Sequence, residues 1–198
     1  MLFNGANIAE VIDISANGPR LRFTRNVANI TMDCDGVEIV QFNALGGADA
    51  ITVNNLAGTA VKDVNLDLAT PAGSGTGDNQ TDTVIVNATT GNDVVAVTGA
   101  SGVVSVTGLS AAVNIAGSDP TLDSLIVDLL DGNDVCTAAE LQAGMINLTI
   151  NGGPGADLII GSPGADTLLG GEGDDILIGG PGLDILDGGP GKNVLIQD

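Results

Sequence analysis

The chain has 198 residues and is strongly acidic, with 25 Asp and Glu against 5 Lys and Arg, no His, and a formal net charge of −20. Nucleic acid and anionic membranes are poor partners for so negative a surface, and no apolar run approaches the ~20 residues that span a bilayer. Charge-driven disorder is excluded too, because it needs low hydrophobicity and 43% of these residues are apolar. Glu10, Glu38, Glu140 and Glu172 are the only glutamates; the other 21 acids are Asp, a residue that favours turns over helices. The acidity therefore sits in loops, where carboxylates are hard-oxygen ligands suited to calcium. With 30 Gly and 2% aromatic residues, the composition suits narrow regular coils better than a globular core.

Segment 1–36 reads as an N-terminal cap or first coil. Its start, Met1-Leu2-Phe3-Asn4-Gly5, has neither the basic nor the apolar region of a signal peptide, and it reads as the excised end of a larger protein with Met1 supplied for expression. Arg20, Arg22 and Arg25 alternate around Leu21 and Phe23; the expectation is a solvated, charged strand face that protects an exposed edge. Cys34 and Cys136 read as two small thiols in preference to a disulfide.

Segment 37–150 carries a loose repeat. Three acidic pairs, Glu38 with Asp49, Asp82 with Asp93 and Asp123 with Asp134, are each spaced by 11 residues, and successive pairs are offset by 44 and then 41. Each second acid closes a Gly-x-Asp, and strand-like runs follow every acid. A third run recurs as Val64-Asn65-Leu66, Val113-Asn114-Ile115 and Ile146-Asn147-Leu148. Repeats of about 41–44 residues are too long for one tight turn, so a wide parallel β-helix is expected, with three or more strands per coil. Ala72 to Gln80, rich in Gly, Ser and Thr, reads as a protruding loop. Asp49, Asp93 and Asp134 either bind a metal or cap corners by accepting backbone amides.

From Gly152 the chain falls into five nonapeptides: Gly152–Ile160, Gly161–Leu169, Gly170–Ile178, Gly179–Asp187 and Gly188–Ile196. Position four is always Gly, position six is Asp157, Asp166, Asp175, Asp184 and then Asn193, and position eight is a large aliphatic. Such a unit is a six-residue turn, whose glycines take positive φ and expose carbonyls, followed by a three-residue strand. Pro154, Pro163, Pro181 and Pro190 at position three lower unfolded-state entropy. Two units complete one coil, so residues 18 apart stack at the strand spacing of ~4.8 Å. Stacked carboxylates at about 5 Å repel by ~3 kcal/mol at an effective dielectric near 20, and Lys192 is the only basic residue in this segment. A divalent cation between turns resolves that conflict.

These residues resemble the hemolysin-type, or RTX, calcium-binding repeat, whose G-G-x-G-x-D-x-U-x pattern is a known nonapeptide β-helix signature. The resemblance implies Ca2+ as cofactor and a C-terminal β-solenoid region of a larger bacterial secreted protein. It implies that each ion takes the second and fourth carbonyls with the Asp of one turn, and the first and third carbonyls with the Asp of the turn stacked on it. One site would then use Gly153, Gly155 and Asp157 with Gly170, Glu172 and Asp175. A second would use Ser162, Gly164 and Asp166 with Gly179, Pro181 and Asp184. A third would use Gly171, Gly173 and Asp175 with Gly188, Pro190 and Asn193, and the neutral amide of Asn193 should make it the weakest. Metal-free Asx-turns are the plainer alternative.

The fold expected for the whole chain is all-β: a right-handed parallel β-helix or β-solenoid ending in a narrow RTX-type β-roll over 151–198, continuous with the coils before it. Leu158, Ile160, Ile176, Ile178, Val194 and Ile196 should face outward as an apolar stripe, either tolerated or used for self-association or domain packing. The expected function is a calcium-binding structural module, not an enzyme, of a secreted or cell-surface bacterial protein that folds or stiffens on meeting extracellular calcium. Ile196-Gln197-Asp198 reads as a terminus closing the roll. The rivals are a polysaccharide-active β-helix enzyme fragment using acids such as Asp63 and Asp67, and an adhesive or interaction domain of a large surface protein. Without His, Tyr or Trp, the usual general bases and sugar-stacking platforms are missing.

Overall fold

The computed structural model describes residues 1–197, and the closing role expected of Asp198 lies outside them. Alternating apolar residues dictate strands with one buried face, and the chain winds these between two facing sheets. It runs from β1 (Leu2–Asn4) in the first sheet to β2 (Val11–Asn17), β3 (Arg20–Arg25) and β4 (Ile30–Cys34) in the second. It then alternates through β5 (Ile39–Asn43), β6 (Ala50–Val53), β7 (Asp63–Asp67) and β8 (Thr83–Asn87). A meander follows in the first sheet: β9 (Val94–Ala100), β10 (Val103–Thr107) and β11 (Ala112–Ala116). Alternation resumes with β12 (Ser124–Asp128), β13 (Val135–Leu141), β14 (Asn147–Pro154), β15 (Leu158–Ile160) and β16 (Thr167–Glu172). The last three are β17 (Ile176–Ile178), β18 (Ile185–Asp187) and β19 (Val194–Ile196).

The first sheet has 10 strands in the order β1-β5-β7-β11-β10-β9-β13-β15-β17-β19, and the second has 9 in the order β18-β16-β14-β12-β8-β6-β2-β3-β4. Strands of successive coils pair in parallel; among the described residues the antiparallel strand pairs are those within β2–β3–β4 and β9–β10–β11, with one isolated antiparallel bridge between Ala69 and Gly77. The chain is therefore a β-solenoid. In the terminal part Leu158 pairs with Ile176 and Ile176 with Val194, the 18-residue register expected of two nonapeptides per coil.

The upstream coils differ from the expectation of three or more strands per coil. Their extra length goes into the two antiparallel excursions and into the loop before β8, while every strand joins one of the same two sheets. The third recurring run also divides: Val64 pairs with Val113 in the first sheet, but Leu148 pairs with Leu125 in the second. Loop length varies between coils, so equal spacing in sequence does not give equal height along the axis.

Inward residues form one thin continuous core. Ile12, Ile51, Val84, Val95, Leu125, Cys136, Ile159, Leu168 and Leu177 are fully buried. Phe3, Phe23 and Phe42 close the N-terminal end, with Phe3 and Phe23 ring centroids 4.8 Å apart. At the other end Leu195 points inward in register but remains 48% exposed, since no described coil lies beyond it. Both thiols are free; Cys34 lies on β4 and Cys136 in the core of the first sheet, where burial pushes its thiol up to about 12. The arginines do more than line a solvated face. Arg20 pairs with Asp33 on the surface, whereas Arg25 pairs with the buried Glu10. The outward rows of the terminal first-sheet strands are partly or fully exposed, with Ile176, Val194 and Ile196 each at least 40% exposed. Among the described residues no helix is long and apolar enough to cross a membrane.

Candidate metal centre

At successive corners an acid stands two residues before an inward-facing buried residue, as Asp49 before Ile51, Asp134 before Cys136 and Asp157 before Ile159. Its own peptide amide points along the solenoid axis, toward the carboxylate of the next coil. On the edge leading into the first sheet, the amide of Asp93 donates to Asp134 Oδ1 (2.7 Å), that of Asp134 to Asp157 (2.8 Å), that of Asp157 to Asp175 (2.9 Å) and that of Asp175 to Asn193 Oδ1 (2.8 Å). On the edge leading into the second sheet, Glu10 donates to Asp49, Asp49 to Asp82 and Asp82 to Asp123 (2.7–2.8 Å). Further along that edge Asp166 donates to Asp184 (3.0 Å). Each corner carbonyl in turn accepts the first amide of the strand above, as Asp134 does from Leu158 and Asp157 from Ile176. One carboxylate oxygen per rung is thus spent on the fold.

The second oxygen is the chemically open one. Oδ2 of Asp49, Asp82, Asp134, Asp157 and Asp175 is buried with no hydrogen-bond partner, and an unpaired buried carboxylate oxygen is costly. Burial, followed by the neighbouring carboxylates, pushes Asp157 up to about 6 and Asp49 and Asp82 up to about 7. Asp134 and Asp166 are raised by burial as well. Glu10 is spared an open charge because Arg25 pairs with it and the Ala6 amide donates to it.

The three expected ligand sets are each gathered between stacked turns. In the first, the Gly155 amide donates to Glu172 O (2.7 Å), and a Cβ added at Gly152 would collide with Asp157 Oδ2 and Gly170 O. The carbonyls of Gly153 and Gly155 face the next turn, since a Cβ at Gly171 or Gly173 would overlap them. In the third set the Gly173 amide donates to Pro190 O (2.9 Å), while the Asn193 amide group donates to Gly188 O (2.7 Å) and Gly189 O (3.0 Å). The second set differs: the Ser162 amide and hydroxyl donate to the two oxygens of Asp166 at 2.5 and 3.0 Å. Of the less certain candidates, Asp49 and Asp134 keep an open oxygen, whereas both the amide and hydroxyl of Thr89 hold Asp93 Oδ2.

The sequence family described as RTX calcium-binding nonapeptide repeat matches in 4 copies, over residues 149–177 and 160–195. Residues 149–195 are RTX calcium-binding nonapeptide repeats. Comparison with curated proteins and with solved structures finds no match for the chain.

RTX repeats bind Ca2+, and the residues present here fit that ion. Calcium takes six to eight hard oxygens in flexible geometry. The stacked RTX turns on the first-sheet edge offer the open oxygens of Asp157 and Asp175 together with axial carbonyls, whereas those of Asp166 are filled by Ser162. Among the described residues no three His, Cys, Asp or Glu side chains converge, so backbone carbonyls must complete any coordination shell. Sequence reasoning missed Glu10 as the first rung and did not rank Asp82 and Asp123 as candidates. The signal was there: like the RTX aspartates, each stands two residues before a fully buried aliphatic, Ile12, Val84 and Leu125.

Proposed function

We propose that this chain is a calcium-dependent structural module that folds or stiffens when it meets extracellular calcium, as part of a protein that bacteria secrete or display. The observation that carries this reading is the stack of open, buried oxygens on Asp157 and Asp175 facing axial carbonyls within the RTX repeats. Calcium is held by Gly153, Gly155 and Asp157 with Gly170, Glu172 and Asp175, and more weakly by Gly171, Gly173 and Asp175 with Gly188, Pro190 and Asn193. A cation between two turns removes carboxylate repulsion that opposes compaction, and each site at 100-fold saturation adds ~2.7 kcal/mol. Residues 1–36 then serve as cap, 37–150 as the longer coils and 151–198 as the roll that continues them.

The rival enzymatic use of Asp67 loses appeal because its carboxylate accepts the amides of Ala69 (3.0 Å) and Gly73 (2.6 Å), as a loop cap does. The outward apolar rows around Ile176 and Ile178 support packing against a second copy. Light scattering in calcium should show an associated wild type and a monomeric Ile176→Thr, Ile178→Thr variant; monomers in both would remove that part.

Circular dichroism during calcium titration, with chelator reversal, tests the main reading. The β signal and thermal midpoint should rise with calcium and fall again with chelator. An identical signal in excess chelator, with no heat of binding in calorimetry, would refute it.

A further inference from the structure

Counting the residue five before each corner acid as position one, the turns divide by the backbone at position two. At Leu45, Leu130, Gly153, Gly171, Gly180 and Gly189 φ is positive, at 74°, 69°, 94°, 104°, 90° and 65°. There the position-two amide makes no bond to its own acid; Oδ2 of Asp49, Asp134, Asp157 and Asp175 stays open, while that of Asp184 accepts from the Gln197 side chain. At Ala6, Thr89, Asp119 and Ser162 φ is not positive, and the same amide donates to the acid of its own turn, at 2.5–2.9 Å. The hydroxyls of Thr89 and Ser162 add a second bond to Asp93 and Asp166. A turn of this second kind has filled its carboxylate with its own donors. Asp82 stands outside both groups: position two is Asp78, without positive φ, yet Oδ2 is open.

Among the described residues, turns with positive φ at position two stack consecutively only on the first-sheet edge, at Asp134, Asp157, Asp175 and Asn193. On the other edge Asp49 stacks on Asp82 and Asp184 on Asp166, and the turns of Asp82 and Asp166 are not of this kind. The turn ending at Asp134 precedes the matched repeats, yet it repeats their geometry. Gly132 donates to Pro154 O (3.0 Å), as Gly155 does to Glu172 O and Gly173 to Pro190 O. A Cβ at Gly153 or Gly155 would overlap Leu130 O or Gly132 O, so these carbonyls face the next turn just as the RTX carbonyls do. Asp134 and Asp157 are 1% and 2% exposed, and each keeps a buried Oδ2 without a partner. Leucine adopts positive φ only at a cost of ~1 kcal/mol or more, which marks a strained position with a use.

We propose that the calcium row runs along the first-sheet edge alone and begins one turn before the repeats, while Ser162 closes the expected seat on the opposite edge. The first seat is built by Leu130, Gly132 and Asp134 against Gly152, Pro154 and Asp157. The seat ending at Asn193 remains the weakest, because its amide supplies no charge and occupies Gly188 O. This rests on the calcium reading above and sharpens which turns carry it.

The test is calcium stoichiometry by calorimetry and equilibrium dialysis on the full chain. Asp134→Asn should bind one calcium fewer than wild type, or hold one at least 10-fold more weakly. Ser162→Gly should gain one, because glycine can take positive φ and frees Asp166, whereas Ser162→Ala should gain none. The gain in Ser162→Gly cannot be mimicked by misfolding. Should Asp134→Asn fail to fold, the 13C carboxylate resonance of Asp134 in the wild type must shift on calcium addition. Wild-type stoichiometry and affinity in Asp134→Asn, an unmoved Asp134 resonance, or no gain in Ser162→Gly would overturn the proposal while leaving the calcium module intact. A wild type that binds no calcium would overturn both.

Discussion

Asp82 offers the sharpest test of how the acidic ladder loads the fold, because it lies outside the proposed calcium row. It is 1% exposed, spends Oδ1 on the Asp49 amide and leaves Oδ2 unpaired. Burial raises it to about 7 from an ordinary 3.8, with Asp123, Asp78 and Asp119 adding to the rise. A carboxyl raised on folding holds its proton better folded than unfolded, so stability falls as pH rises. The contribution is complete below about 4 and gone above about 7. A rise from 3.8 to about 7 is worth ~4 kcal/mol, and ~2 kcal/mol after allowing for solvent screening at a corner. For a chain of this size that is ~4–8 °C of melting temperature. The perturbation is Asp82→Asn, which keeps the oxygen that accepts from Asp49 and removes the proton equilibrium. Melting in metal-free buffer from pH 4.5 to 8 should show the wild type losing stability, and the variant losing ~4–8 °C less. Parallel pH profiles for the two proteins would refute the assignment of an open, buried oxygen to Asp82.

Two further substitutions probe the same architecture. Arg25→Met strands the Glu10 carboxylate, whose side chain is 0% exposed beside an arginine that is 10% exposed; urea denaturation should show a loss of ~3–5 kcal/mol, largely recovered by adding Glu10→Gln, and a loss under ~0.5 kcal/mol would contradict a buried pair. Gly155→Ala must place a Cβ on the Gly132 carbonyl at a φ of 151°, whereas Gly144→Ala meets nothing within 4 Å at a φ of 72°. Chemical denaturation should therefore show ~3 kcal/mol or more lost at Gly155 against ~1–2 kcal/mol of backbone strain at Gly144; equal losses would mean that the turns do not stack this closely.

The nonapeptide roll was legible from residues alone because its phase is local. Nine residues fix one turn and one strand, glycine licenses the turn, and Ile159, Leu168 and Leu177 recur at the one position that must face inward. The acid-then-aliphatic unit was equally visible upstream, at Asp49, Asp93 and Asp134. What stacks on what was not. Asp49 lies over Asp82, 33 residues away, while other rungs are separated by 39, 41, 23 and 18 residues. The height of a coil depends on where the chain spends its surplus, in a loop or in an antiparallel meander such as β9–β10–β11, and long-range pairing alone decides that. The state of each acid is likewise a tertiary property. Asp134 and Asp166 look alike in sequence, yet one is open and the other is filled by Ser162. The difference is the direction of one peptide amide, which Leu130 holds at positive φ against its intrinsic preference and Ser162 does not.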